Sequence, residues 1–135
     1  MRRVLYDTNV LLDVLLKREP HFSASAAALD AVGQGKVEGY IAGHAVTTLA
    51  YLFQRQLGPA KSKSVLSGLL SRMRVAPVTD AVIRQALAGT FNDFEDAVSH
   101  AAAQEAGVSV IVTRNIRDFA KSTIPVVLPE VFRPE

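Results

Sequence analysis

The sequence predicts an α/β protein, built as a three-layer α/β/α sandwich around a central parallel sheet. Short runs rich in Val and Ile alternate with longer stretches whose apolar residues have helical spacing. Strands that alternate with helices favour parallel pairing with helices on both faces. The 135 residues suffice for one core, so we expect a single domain over residues 1–135.

The first half of the chain contains two strand patterns and four helix patterns, separated by Pro and Gly. In chain order they are a strand over Arg3–Tyr6, a short helix from Asp7-Thr8-Asn9 to Leu16, a helix over Ser23–Val32, a strand over Val37–Ala42, and helices over Ala45–Leu57 and Ala60–Met73. Strand, helix and strand in this order predict a first β-α-β unit.

The second half repeats the alternation. It contains a strand over Arg74–Val78, a helix over Asp80–Ala88 capped by Thr79, a helix from Asp93 to Ala106 stopped by Gly107, an apolar strand over Val108–Val112, and a last strand over Ile124–Leu128. Because Pro125 cannot donate a hydrogen bond, we expect that last strand at an edge of the sheet.

Composition excludes several functions. The chain has no cysteine, which rules out disulfides, thiolate metal sites and cysteine nucleophiles. It also lacks a Gly-rich phosphate loop, a G-x-S-x-G elbow and an H-E-x-x-H motif. Asp7 and Asp13 interrupt the apolar N-terminal stretch, so we expect a cytoplasmic protein without a membrane segment.

Charge is distributed unevenly along the chain. The net charge is only +2, but no acid occurs from Gly39 to Thr79. That segment carries a charge of +5 from Arg55, Lys61, Lys63, Arg72 and Arg74. Such a basic segment suits a polyanion or an acidic partner, although a solvated helix face is an equally simple explanation.

Polar side chains follow two of the predicted strands directly. Asp7-Thr8-Asn9 follows Tyr6, and Thr113-Arg114-Asn115 follows Val112. Ligands of open parallel sheets bind beyond the carboxyl ends of strands, and a buried Asp7 needs a positive partner. Mg²⁺ or Mn²⁺, which prefer oxygen ligands, would meet that need and would favour phosphodiester hydrolysis by a bound water.

A third polar cluster, Asn92-Asp93-Phe94-Glu95-Asp96, opens the helix that leads into the Val108–Val112 strand. One interpretation is purely structural: Asp93 caps the helix, while Glu95 and Asp96 interact with its dipole. The other is that Asp96 joins Asp7 in holding a cation. His44, after the second strand, is a further candidate ligand or proton shuttle, with a helix cap or surface group as the alternative.

Three motifs together resemble the PIN domain family: V-L-Y-D-T-N-V-L-L-D near the start, D-F-E-D-A-V-S-H-A-A-A in the middle, and V-I-V-T-R-N-I-R-D-F late in the chain. Their order and spacing extend the resemblance over nearly the whole chain. Short chains of this kind resemble the VapC-like ribonuclease toxins of bacterial toxin–antitoxin pairs. The resemblance implies Mg²⁺- or Mn²⁺-dependent RNA cleavage, a homodimer, and inhibition by a small antitoxin protein.

Carried over to this sequence, the resemblance implies Asp7 and Asp96 as metal ligands. The catalytic set that we predict is Asp7, Asp93, Asp96 and Asn115, supported by Thr8, Asn9, Glu95 and Asp118. Arg114, Arg117, Lys61 and Lys63 are predicted to bind RNA, although Arg114 and Arg117 can equally pair with the acids.

Two positions depart from the family pattern. The family has a glutamate early in the helix after the second strand, whereas this chain has none from Ala42 to Ala50 and carries Thr47 and Thr48 there. The late motif usually has an aspartate after Thr-Arg, where this chain has Asn115. The site has lost negative charge at both positions, so we expect it to hold cations more weakly.

Two other functions remain open at this stage. One is a PIN-like module that binds RNA or protein without cleaving it. The other is a phospho-acceptor or phosphatase domain with Asp7 as nucleophile. The second fits less well, because Asn9 stands where a haloacid-dehalogenase-like enzyme needs an aspartate, and Thr113-Arg114 stands where a receiver domain needs a lysine.

Overall fold

The computed structural model describes all of residues 1–135 and contains five strands, six α-helices and one short 3-10 helix. In chain order these are β1 (Arg3–Tyr6), α1 (Thr8–Leu15), α2 (Phe22–Gly33), β2 (Glu38–Ala42), α3 (Gly43–Leu57), α4 (Pro59–Leu70), β3 (Arg74–Ala76), α5 (Asp80–Ala88), α6 (Phe94–Glu105), β4 (Val110–Val112), the 3-10 helix (Ile116–Phe119) and β5 (Val126–Val127). The predicted alternation of strands and helices is confirmed.

The five strands form one sheet in the order β3-β2-β1-β4-β5, and every neighbouring pair is parallel. The chain first adds strands on one side of β1 and then crosses to the other side with β4. Right-handed crossovers therefore put α1 to α4 on one face of the sheet and α5 and α6 on the other. This is the predicted three-layer α/β/α sandwich with a central parallel sheet.

The core lies on both faces of the central strands. Val4, Leu5 and Tyr6 of β1 are buried, and so is the whole of β4. Gly39 of β2 allows α2 to approach closely, because a Cβ at that position would lie 2.7 Å from a methyl carbon of Val32. None of the helices has both the length and the hydrophobicity to cross a membrane.

Two helix starts and one helix end follow the caps that the sequence predicts, whereas α3 begins two residues earlier than predicted, at Gly43, and α4 ends three residues earlier, at Leu70. The Thr79 hydroxyl accepts the N–H of Val82 at the start of α5, and the Asp93 carboxylate accepts the N–H of Asp96 at the start of α6. Gly107, with a φ of 73°, ends the α6 segment in the left-handed conformation.

Every strand except β1 is shorter than predicted: β2 by one residue, β3 and β4 by two each, and β5 by three. For β4 and β3 the backbone gives the reason. The N–H of Val108 donates to the carbonyl of Ala103, so it closes the end of α6 and β4 begins only at Val110. Pro77 has no N–H, and β3 ends before it at Ala76. β5 is an edge strand, as predicted.

Candidate active site

The candidate site lies at the carboxyl ends of β1 and β4, the two central strands between which the order of strands reverses. The N–H of Asp7 donates to the carbonyl of Val112 at 2.9 Å, so the first polar residue after β1 is joined to the last residue of β4. A reversal of strand order opens a crevice between the diverging connections. The fold thus brings the first and third sequence motifs together.

Asp7 is held by donors from both motifs. Its side chain accepts the N–H of Thr8 at 2.9 Å, the amide of Asn9 at 3.2 Å and the hydroxyl of Thr113 at 2.7 Å. Burial raises the pKa of Asp7, and the nearby charge of Asp118 raises it further, although the hydrogen bonds from Thr113 and Thr8 oppose the rise. The three donors fix the direction of a desolvated carboxylate.

Asp96, in the first turn of α6, shares this region with Asp7. Burial raises the pKa of Asp96 to about 7, and the charge of Asp7 is the next cause of the rise. The charges of Asp93, Asp118 and Glu95 add to the effect in that order. Asp7 and Asp96 are thus close enough for their charges to repel, although 88 residues lie between them in the sequence.

The 3-10 helix places Asp118 near both of these acids, because its charge raises the pKa of Asp7 and of Asp96. Sequence reasoning gave Asp118 only a supporting role, since the pattern after Thr113 did not indicate a helix. Asn115 is exposed and precedes the 3-10 helix, and its N–H donates to the Thr113 hydroxyl. Asp93 and Glu95 are exposed at the start of α6.

His44 connects α3 to α6. Its Nε2 lies 3.1 Å from the carbonyl oxygen of Glu95 and 3.3 Å from the hydroxyl of Ser99. Its Nδ1 is buried without a hydrogen-bond partner, and its charge lowers the pKa of Asp7. His44 is therefore neither a helix cap nor a free surface group, and it leaves one unpaired polar atom beside the acids.

The start of α3 has no acid, as the sequence already showed. The Thr47 and Thr48 hydroxyls both donate to the carbonyl of His44 within their own helix. They therefore supply no negative charge to the site in place of the missing glutamate.

The structure assigns Arg114 a different contact from the predicted one with RNA. Its Nε and Nη2 donate to the carboxylate of Asp13 at 2.7 and 3.2 Å, and only 25% of its side chain is exposed. The sequence left open contact with RNA or with the site acids, and the structure pairs Arg114 with Asp13, which is not one of those acids. Arg117 is exposed in the 3-10 helix, where contact with RNA stays a prediction.

Sequence reasoning missed the role of Asp13, which it treated only as a break in an apolar stretch. Asp13 is fully buried in α1. Burial alone would raise its pKa, but hydrogen bonds from Arg114 and Ser25 and the charge of Arg114 hold the pKa below the ordinary value. The sequence feature that could have indicated this role is the position of Asp13 on the apolar side of the short helix α1.

The acids of the site fit a divalent cation, though with few ligands. No three Asp, Glu or His side chains lie close enough together to form a metal site by themselves. Mg²⁺ often binds through one or two carboxylates and completes its coordination with water, so the number of acids here is compatible with such an ion. A cation would also relieve the repulsion that raises the pKa of Asp96.

Lys61 and Lys63 are exposed on α4. His100, one turn after Asp96, does not join the acids, because its Nε2 accepts the N–H of Thr123 and its ring packs against Phe91.

The largest cavity is an open apolar groove of about 570 Å³ between α1, α2 and α4. Val14 and Leu15 line it from α1, Leu29 from α2, and Val65 and Leu69 from α4. Arg72 and Asp30 supply charge along the same groove. None of the candidate site acids lines it.

Comparison with protein families matches the PIN domain to residues 3–117. The match covers most of the sequence, so the chain belongs to the PIN domain family. The resemblance predicted from the three motifs is confirmed at this level. A comparison with curated protein sequences gives no match.

Solved structures of toxin–antitoxin systems share the fold. A chain of VapBC2 from Rickettsia felis, bound to a promoter DNA fragment, has a TM-score of 0.71 and 16% identity over 93% of this chain and 98% of that one. A chain of a toxin–antitoxin complex from Klebsiella pneumoniae has a TM-score of 0.71 and 22% identity, over 93% of this chain and 97% of that one. VapC20 from Mycobacterium tuberculosis, a Sarcin-Ricin loop cleaving toxin, has a TM-score of 0.62 and 16% identity, over 80% of this chain and 86% of that one.

Proposed function

We propose that this PIN-domain chain is a ribonuclease that depends on Mg²⁺ or Mn²⁺ and hydrolyses phosphodiester bonds of RNA. The supporting observation is the gathering of acids at the switch point, where Asp7 follows β1 and the charges of Asp7 and Asp118 add to the burial that raises the pKa of Asp96. A cation would be attracted to such a group of acids, and a hydrolytic nuclease needs one.

Asp7 and Asp96 would hold the cation in this proposal. A divalent ion supplies a polarised phosphoryl oxygen and a bound water of lowered pKa. The chain orients one of the ligands, because Thr8, Asn9 and Thr113 all donate to Asp7. Asp118 adds negative charge within reach of both ligands, which offsets part of the loss at Asn115 and at the start of α3.

Asp96 also suits a reaction near neutral pH. With its pKa near 7 in the free protein, its carboxyl group holds a proton over part of the physiological range and releases it when a cation binds. Cation binding should therefore release protons and weaken as the solution becomes more acidic.

The experiment is cleavage of a mixed RNA in the presence of Mn²⁺ by the unchanged chain, by Asp7→Asn and by Asp96→Asn. Both substitutions keep the side-chain size and remove the charge, so we expect both to abolish cleavage. Asp80→Asn is the matched control, because Asp80 is exposed on α5 and pairs with Arg84. Equal cleavage by all four proteins would refute the proposal.

The same experiment separates the alternatives. RNA binding that is indifferent to Mn²⁺ and to both substitutions, without cleavage, would favour a binding module. A stable phosphoryl adduct on Asp7, formed from a small phosphodonor, would instead favour the phospho-acceptor function.

We further propose that the chain is the toxin of a bacterial toxin–antitoxin pair and acts on RNA in the cytoplasm as a homodimer. The likeness to chains from toxin–antitoxin complexes supports this. The apolar groove between α1, α2 and α4 has the shape to take an amphipathic helix. Arg72, from the acid-free segment between Gly39 and Thr79, lines this groove, so we expect an antitoxin helix there that places an acid beside Arg72.

A further inference from the structure

Asp13 is a fully buried carboxylate to which the proposed reaction gives no role. It accepts hydrogen bonds from Arg114 (2.7 and 3.2 Å), from Arg18 (3.3 and 3.4 Å) and from the hydroxyl of Ser25 at 2.9 Å. Two cations and one hydroxyl thus satisfy one carboxylate. Such saturation of a buried charge defines a fixed geometry.

Stability alone is a weak reason for this arrangement. Removing an aspartate and an arginine from water costs several kcal/mol, and a well-packed apolar pair is often as stable as a buried ion pair. The neighbouring side chains of α1 are apolar, since Val10, Leu11 and Leu12 are all buried. A charged pair at this place therefore needs a reason other than stability.

The position that this pair fixes leads to the acid site. Arg114 is the residue after Thr113, and its N–H donates to the side chain of Asn9 at 3.3 Å. Thr113 and Asn9 both donate to Oδ2 of Asp7. The segment after β4 therefore contacts the α1 region at two points: Arg114 pairs with Asp13, and Thr113 donates to Asp7.

We propose that Asp13 is a positioning residue for the cation site: by holding the guanidinium of Arg114, it keeps Thr113 where its hydroxyl orients the carboxylate of Asp7. The inference rests on the proposed function, because it takes Asp7 as a ligand of the cation. It assigns Arg114 to the support of that ligand and not to contact with RNA.

Two arginines on the same carboxylate provide a matched test. Arg18 and Arg114 both pair with Asp13, but only Arg114 belongs to the segment that contacts Asp7. Mn²⁺ affinity of the full chain, without RNA, is measured by titration calorimetry for Arg114→Ala and Arg18→Ala. We expect roughly tenfold weaker binding in Arg114→Ala, as is typical when a residue supporting a metal ligand is lost, and no change in Arg18→Ala.

The sign of the effect is informative. Removing a positive charge near the site would strengthen cation binding if charge alone acted, whereas loss of positioning weakens it. A purely structural pair would lower the melting temperature of both variants without changing the Mn²⁺ affinity of the folded protein. Equal or stronger binding by Arg114→Ala would overturn the inference.

A double variant serves if Arg114→Ala does not fold. Asp13→Asn with Arg114→Gln replaces the ion pair by two amides and leaves no buried charge, and we expect the same weakening of Mn²⁺ binding. Unchanged affinity in this variant would overturn the inference as well. Asp7→Asn separates the two claims: if it leaves Mn²⁺ binding intact, the proposed function fails, whereas a loss seen only in Asp7→Asn refutes the positioning role alone.

Discussion

The hydroxyl oxygen of Thr113 lies 2.7 Å from Oδ2 of Asp7, and this hydrogen bond connects residues 106 positions apart. Thr113 is fully buried, directly after β4. The same hydroxyl accepts the N–H of Asn115 and lies within hydrogen-bond reach of the Asn9 amide. One side chain thus links β4, α1 and the segment that leads to Asp118.

Replacing Thr113 by Val removes the hydroxyl that donates to Oδ2 of Asp7. The buried carboxylate of Asp7 then lacks one of its hydrogen bonds. We expect a decrease of about 1–3 kcal/mol in the free energy of unfolding, together with weaker Mn²⁺ binding. Urea denaturation and calorimetry measure the two effects. Thr47→Val is the control, because the Thr47 hydroxyl is exposed and only contacts a carbonyl of its own helix. Equal effects of both substitutions would contradict this prediction.

The raised pKa of Asp96 predicts a pH-dependent stability. Between the ordinary aspartate pKa of 3.8 and about 7, the folded protein keeps a proton on Asp96 that the unfolded chain releases. Stability must then fall as the pH rises through this window. Asp96→Asn has no group that titrates in this pH range. The difference in free energy of unfolding between this variant and the unchanged chain should therefore shift in favour of the variant as the pH rises to about 7.

Urea denaturation in EDTA, at about pH 5 and about pH 8, checks this prediction. We expect the free energy of unfolding of Asp96→Asn, compared with that of the unchanged chain, to be more favourable at about pH 8 than at about pH 5. Glu105→Gln is the control, because Glu105 is exposed at the far end of the same helix. A stability difference that does not depend on pH would argue against the raised pKa of Asp96, which burial and then the charge of Asp7 cause.

The exposed lysines of α4 should contribute to RNA affinity. For single-stranded RNA, each phosphate contact adds about 0.7 to the slope of log affinity against log salt concentration, so Lys61→Gln with Lys63→Gln should reduce the slope by about 1.4. Lys17→Gln with Lys36→Gln is the control, because these exposed lysines lie outside the basic segment. An unchanged slope in the first variant would remove α4 from the RNA surface.

The apolar groove can be filled without disturbing the fold. Gly68 lines it from α4, and a Cβ at that position would meet nothing within 4 Å. Gly68→Arg should therefore fold and prevent binding of the small antitoxin protein that we propose as this chain's partner. Ser67→Arg is the control, because the neighbouring residue is exposed on α4 and does not line the groove. Calorimetry with that purified protein measures the difference, and equal affinities would place the contact elsewhere.

Much of the fold could be predicted because local signals agree with it. Thr79, Asp93 and Gly107 mark helix ends by hydrogen bonds or backbone conformation that depend on a few neighbouring residues. The order of strands could not be read in this way, because only tertiary packing puts β4 beside β1. The 3-10 helix was also missed, since its four residues have too short a pattern.

The candidate site was also predictable only in part. Asp7 and Asp96 were found from motifs, and the structure brings their charges together. The direction in which Arg114 points was not predictable, because it depends on Asp13, a residue 101 positions away. The roles of Asp7 and Asp96 as metal ligands and catalytic residues stay predictions.

The short outer strands of the sheet have a consequence for self-association. β3 has three residues and β5 has two, so each border of the sheet offers few free backbone groups to another polypeptide. Pro77 and Pro125, which lack an N–H, flank these borders. The edges of the sheet therefore disfavour pairing with a strand of another copy, which also protects the sheet from aggregation by strand addition.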